Sequence, residues 1–155
     1  MIYYRAIFVL IILIVSVIIT MKSMKDGIYA TSFTKSPHQP PNYVFSIVWT
    51  TIYVTYAIGW EYLIRNGMPS WLNTLYVINM LLNLGWTVAY FYYGNELLAK
   101  YIIIVLLLLT LFQSYAVWNY VPATKYTSLS SLSLLVYASW LTIASGLLWE
   151  SKFTV

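Results

Sequence analysis

The sequence predicts an all-α membrane protein: a five-transmembrane-helix bundle, formed by residues 1–155 as one domain, with a long first loop capping an internal cavity. Three observations carry this. Hydrophobic residues make up 61% of the chain and charged ones 8%, a balance far outside that of a water-soluble domain. The apolar residues gather into five runs, 6–21, 43–64, 71–93, 97–118 and 129–149, most of them near the roughly 20 residues with which a helix crosses about 30 Å of hydrocarbon. Inside three of these runs, Trp, Tyr and Asn recur at helical spacing, where lipid contact needs only Leu, Ile and Val.

The first run is short, but Tyr3 and Tyr4 suit the membrane interface and Arg5 can snorkel to water. Residues 1–30 can also be read as a signal peptide, with the basic Arg5, an apolar core and the small residues of YATS; the length of that core favours a span. The first loop, Lys22 to Pro41, has length to spare and a turn at Gly27, so it can fold over one end of the bundle. Pro40 and Pro41 then start the second helix sharply, because a proline lacks only an N–H that the first turn leaves unpaired anyway.

The second helix carries a stripe of Phe45, Trp49, Ile52 and Tyr56, the third one of Asn79, Asn83, Trp86 and Tyr90, and the fifth one of Ser133, Tyr137, Trp140, Ala144 and Leu147. An amide facing hydrocarbon is costly, which turns Asn79 and Asn83 inward. The fourth run is plainly aliphatic, with Leu106 and Leu107 read as lipid-facing. Short connections at 65–70, 94–96 and 119–128 make sequential helices antiparallel neighbours. Membrane helices use Asn and Ser as interhelical glue. Three facing stripes of Trp, Tyr and Asn are nevertheless too bulky to interdigitate like small-residue seams, and they predict an aromatic cavity suited to a flat apolar ligand.

The +4 net charge reads as orientation and headgroup contact rather than nucleic-acid binding. Lys22, Lys25, Lys35, Lys100 and Lys152 fall on one side of the membrane, Arg5, Arg65 and Lys125 on the other, so the positive-inside rule puts the C-terminus in the cytosol. The absence of cysteine and the single histidine exclude a thiolate metal cluster, a disulfide framework and a Cys nucleophile. No metal ligand or catalytic residue is assigned. Glu61, Glu96 and Glu150 lie at helix ends without a histidine in the same stripe, and Glu61 and Arg65 have the spacing of a surface pair. An ion carrier would place ionisable groups at mid-span, where there are none. A loose sterol pattern can be read at Val117, Tyr120 and Lys125.

Three segments, KSPHQPPNYVFSIVWTTIY (35–53), LNLGWTVAYF (82–91) and LLVYASWLTIASGLL (134–148), resemble the signature segments of the TspO/MBR family. This family comprises the tryptophan-rich sensory proteins of bacteria and the translocator protein, or peripheral-type benzodiazepine receptor, of the mitochondrial outer membrane. Its first segment, K-P-x-W-x-P-P with an aromatic residue and Trp following, is met by Lys35, Pro40, Pro41, Phe45 and Trp49, while Ser36 replaces the first proline and His38 the tryptophan. Asn83, Trp86, Thr87, Tyr90 and Phe91 meet the second, with Asn79 where a glutamine is usual. Tyr137, Trp140, Ala144 and Leu147 meet the third, in which Val136 and Leu148 replace a proline and an asparagine.

The resemblance implies a multi-pass protein of a bacterial cell membrane or the mitochondrial outer membrane, with a loop-capped cavity that binds tetrapyrroles such as protoporphyrin IX and haem, sterols in eukaryotic members, and synthetic isoquinoline carboxamides. It places Phe45, Trp49, Asn83, Trp86, Trp140, Ala144 and Leu147 on the cavity wall and Tyr137 beside them. No cofactor is obligatory; porphyrin or haem arrives as a ligand. It implies a receptor or transport protein, with tryptophan-dependent, light-driven porphyrin breakdown as the alternative. A homodimer through the third helix is also implied, where Gly85 and Ala89 form a small-xxx-small pair. His38, in the loop, is a candidate ligand contact: histidine changes charge near neutral pH, and it can face a metalloporphyrin when neutral or ligand carboxylates when charged.

Overall fold

The computed structural model describes residues 4–27 and 33–153. Five helices are long and apolar enough to cross a membrane. Helix α1 runs from Tyr4 to Asp26, one turn beyond its apolar run. Nothing in Lys22–Asp26 breaks a helix before Gly27, and lysines at a membrane boundary reach water. The first loop is shortened accordingly. Helix α2, Asn42–Arg65, starts directly after the double proline. Gly67, at φ +81°, turns the chain back in a conformation that costs glycine little, and α3 follows over Ser70–Thr87. It continues as a π-helical turn, Val88–Tyr92.

Helix α4 spans Glu96–Tyr120 and α5 spans Lys125–Glu150. Each has a side-chain cap: the Asn95 side chain accepts from the Leu98 N–H at 3.0 Å, and the Thr124 hydroxyl accepts from the Thr127 N–H at 3.1 Å. Two short strands that the helical reading did not anticipate, β1 (Phe33–Thr34) in the first loop and β2 (Lys152–Phe153) after α5, pair antiparallel with Phe33 opposite Phe153. That pairing puts the first loop and the end of α5 at the same end of the bundle.

Around the bundle the order is α1, α2, α5, α4, α3 and back to α1. The expectation that short connections make sequential neighbours therefore holds for α3–α4 and α4–α5 but not for α2 and α3, which meet at few points. Large rings bridge that gap. Tyr56 and Trp60 of α2 meet Tyr76 of α3 with centroids 4.8 and 5.4 Å apart, so the two axes stand off. Elsewhere small residues allow close approach, as at Gly59, where a Cβ would lie 3.1 Å from the Ser130 hydroxyl.

Further sequence readings change here. Leu106 is only 1% exposed and Leu107 packs against the core. Helix α4 is gripped by both α3 and α5, so Leu106 joins Ile103, Thr110 and Gln113 on a buried stripe, while Val105 and Leu108 face outward. Val117 is buried too, away from any surface sterol pattern. Ala89 is buried within the chain, so of the Gly85 and Ala89 pair only Gly85 has open space beside it. Glu61 is buried and meets Arg5 of α1 at 3.6 Å rather than forming a surface pair. The same cluster includes Asn73, whose side-chain oxygen accepts from Arg5 Nε at 3.4 Å and from the Trp60 indole at 2.9 Å. It ties α1 to α2 and α3 at the end away from the first loop.

Candidate functional site

A cavity of about 340 Å³ lies between α1, α2, the end of α3 and the end of α5. The stand-off between α2 and α3 leaves room for it. Phe45 and Trp49 face it from α2, Asn83 and Trp86 from α3, and Ala144 and Leu147 from α5. Trp140, expected on the wall, and Tyr137, expected beside it, both stand one layer behind it. Tyr137 and Trp140 are buried, with their rings 6.1 and 6.5 Å from that of Trp49, and Trp140 also meets Phe45 edge-on at 5.4 Å. His38 is not on the wall; its Nδ1 lies 3.0 Å from the Glu150 carboxylate. Glu150 thus has a histidine partner after all, from the loop rather than from its own helix.

Asn83 closes one side of the cavity and anchors a buried hydrogen-bond network. Its side-chain carbonyl accepts from the Tyr53 hydroxyl at 2.5 Å, and its NH₂ donates to the Tyr137 hydroxyl at 2.8 Å. Tyr137 in turn donates to the Asn79 carbonyl at 3.3 Å, and the Asn79 NH₂ donates to Thr110 at 2.9 Å and Gln113 at 2.7 Å. Gln113 donates to the Tyr56 hydroxyl at 3.2 Å, which donates to the Tyr76 backbone carbonyl at 3.1 Å. Donors and acceptors alternate through four helices without a conflict, as a buried network must to stabilise rather than destabilise. Asn83 is therefore largely occupied with holding the wall, and ring surface supplies most of what it offers a ligand.

The indoles behave differently. The Nε1 atoms of Trp86 and Trp140 are buried and make no hydrogen bond among the described residues. Residues used as interhelical glue would have their donors paired, so the Trp86 indole, which lines the cavity, is better explained as wall surface, and the Trp140 indole as ring packing behind it. Trp49 and Trp86 lie 6.0 Å apart, and Trp86 stacks on Tyr90 at 5.5 Å with their planes 11° apart. The π-turn at the end of α3 helps to present this surface. Its wider winding brings the consecutive Tyr90 and Phe91 both to the cavity, which a regular α-helix, stepping about 100° per residue, does less readily.

Sequence reasoning missed the α1 wall. Leu13, Ser16, Val17, Thr20, Met21 and Met24 all line the cavity. Their alternating spacing of three and one is that of a helix face, and the hydroxyls of Ser16 and Thr20 were its only polar markers in an otherwise aliphatic run. Gln39, Tyr53 and Ser151 also line the cavity. Among the described residues, no charged side chain does so.

The TspO/MBR family model matches residues 6–153, nearly the whole chain. The chain belongs to the TspO/MBR family. Curated proteins searched with the sequence give no match. TspO/MBR membership and the five apolar helices make this an integral membrane protein, and the family supports a receptor or transport role in general. Two departures from the TspO/MBR signature, Ser36 and His38, both meet Glu150 in the fold.

Proposed function

We propose that this protein binds a flat, largely apolar ligand of the tetrapyrrole or sterol class in its intrabundle cavity and serves as a membrane receptor or transporter for it. One observation carries the reading: an uncharged cavity walled by Trp49, Trp86, Tyr90 and Phe45. Pockets for small ligands run from about 300 to 1,000 Å³, so this one takes the body of such a molecule and leaves its edge outside. Val17 and Met21 of α1 and Ser46 and Thr50 of α2 line the cavity and are also exposed, so its mouth opens between these helices toward lipid. A ligand partitioned into the bilayer meets that mouth directly. Among the described residues no cation lines the cavity to meet the carboxylates of a tetrapyrrole, and Lys22, Lys25, Lys35 and Lys152 belong to the segments at the loop end. With His38 outside the wall, an iron-bearing tetrapyrrole would have to draw any axial ligand from wall residues such as Met21, Met24 or Tyr90.

The test is tryptophan-fluorescence quenching of the purified protein by protoporphyrin, haem and cholesterol in parallel. Saturable quenching by protoporphyrin or cholesterol supports the reading, and no saturable response to any of the three removes it. The close spacing of Trp49, Trp86 and Tyr90 also favours a second reading, light-driven porphyrin breakdown. Illumination of the protoporphyrin complex separates the two: chemical alteration of the porphyrin supports breakdown, recovery of intact porphyrin supports carriage.

A further inference from the structure

We propose that Ser36, His38 and Glu150 form a latch that fastens the first loop across the aqueous end of the cavity and thereby regulates access to it. The proposal takes the cavity as the site of the ligand reading and adds its regulation. Glu150, the last residue of α5, accepts a hydrogen bond from the Ser36 hydroxyl and lies 3.0 Å from His38 Nδ1. The Ser36 hydroxyl oxygen accepts in turn from the His38 backbone N–H at 3.1 Å, which folds the loop tightly around the carboxylate. Beside this cluster, β1 and β2 pair in register.

The fastened segments are themselves cavity wall. Gln39 follows His38 immediately and lines the cavity. Ser151 follows Glu150, lines the cavity, and lies 3.0 Å from the Tyr90 hydroxyl, while Phe33 of β1 packs edge-on to the Tyr90 ring at 5.9 Å. Releasing Glu150 therefore frees both the loop and the residues that close the aqueous end.

The strength of the contacts suits a device that opens. The His38 and Glu150 side chains are 76% and 43% exposed, and a polar contact so open to water adds little by itself, whether or not the imidazole is charged. Ser36 is only 4% exposed, and its hydrogen bond to a carboxylate is the stronger hold. Of the other charged residues nearby, Lys35 directly precedes Ser36, Lys152 lies in β2 opposite Thr34, and Lys100 pairs with Glu96 at 3.3 Å and lies over the Trp149 ring.

The experiment uses the absence of native cysteine. A single cysteine at Thr87, a buried wall residue, is modified by a cationic, water-soluble thiosulfonate in the full-length protein. Hydrogen exchange of the amides from 33 to 41 is followed in parallel. In Ser36→Ala and in Glu150→Ala, each made separately in case one fails to fold, both modification and exchange become about threefold to tenfold faster, as befits loss of a partly exposed hydrogen bond to a charge. Lys152→Ala leaves both nearly unchanged. Unaltered exchange in both latch variants overturns the latch; faster exchange with unaltered modification of the cysteine overturns its control of the cavity. Neither readout needs a ligand, so failure of protoporphyrin to bind the unaltered protein counts against the ligand reading alone.

Discussion

The Tyr53 hydroxyl donates to the Asn83 side chain at 2.5 Å, so one amide of α3 holds both the cavity wall and α2 in place. The same amide donates to Tyr137 on α5. Asn83→Leu leaves the two buried tyrosine hydroxyls short of that partner. We expect it to lower stability by about 1 to 3 kcal/mol, because buried groups without partners carry their full desolvation cost. Leu108→Ala, on the exposed face of α4, serves as the control and should change stability by less than about 0.5 kcal/mol. Unfolding in detergent reads both, and equal losses would show that the network carries no special weight.

Trp49 stands at the centre of the ring cluster, within 6.5 Å of Tyr53, Trp86, Tyr137 and Trp140. Trp49→Ala should weaken protoporphyrin binding by about 1 to 3 kcal/mol through lost ring contact and area, with Trp49→Phe between it and the unaltered chain. Trp118→Ala, on the outer surface of α4, should leave affinity unchanged. Titration by fluorescence or calorimetry ranks the three, and equal effects at 49 and 118 would deny the cavity a role.

Arg5 and Glu61 form a partly buried pair at the other end of the bundle, with side chains 32% and 11% exposed. Arg5→Met leaves Glu61 without its cation and should cost about 2 kcal/mol of stability. The double variant Arg5→Met, Glu61→Gln should recover much of that loss, since the stranded charge is gone. Thermal unfolding of the single and double variants reads the coupling; additive losses would mean that the two side chains do not depend on each other.

Side-specific labelling tests the membrane orientation. Single cysteines at 25 and 152 should react from one face of sealed vesicles and a cysteine at 65 from the other, as five spans and the β1–β2 pairing require. Reaction of 25 and 65 from the same face would remove the five-span topology. The positive-inside rule adds that 25 and 152 face the cytosol.

The aromatic wall was legible because a Trp, Tyr or Asn inside a lipid-length run departs from what lipid demands, and its spacing names a face. Trp49, Asn83 and Trp86 followed from that departure, and Ala144 from the family resemblance. The α1 wall was harder to read, since a helix that is apolar all round gives the interior no contrast, and only Ser16 and Thr20 broke the pattern. Leu106 was misread for the same reason. A run of leucines does not say which of them a neighbouring helix will cover. The meeting of His38 with Glu150 joins residues 112 positions apart and depends on how the loop is folded across the bundle, which helical periodicity does not encode.

Helix α1 is held near both ends: Arg5 joins Glu61 and Asn73, and the Ser23 hydroxyl donates to the Phe91 backbone carbonyl. The two attachments are about 27 Å apart along the helix axis, and the cavity-lining Ser16 and Val17 lie between them. Mechanically, α1 is a beam fixed at its supports, which deflects most along its middle and least at its ends. A sideways load on α1 therefore changes the membrane-facing slit more than it changes either end of the bundle.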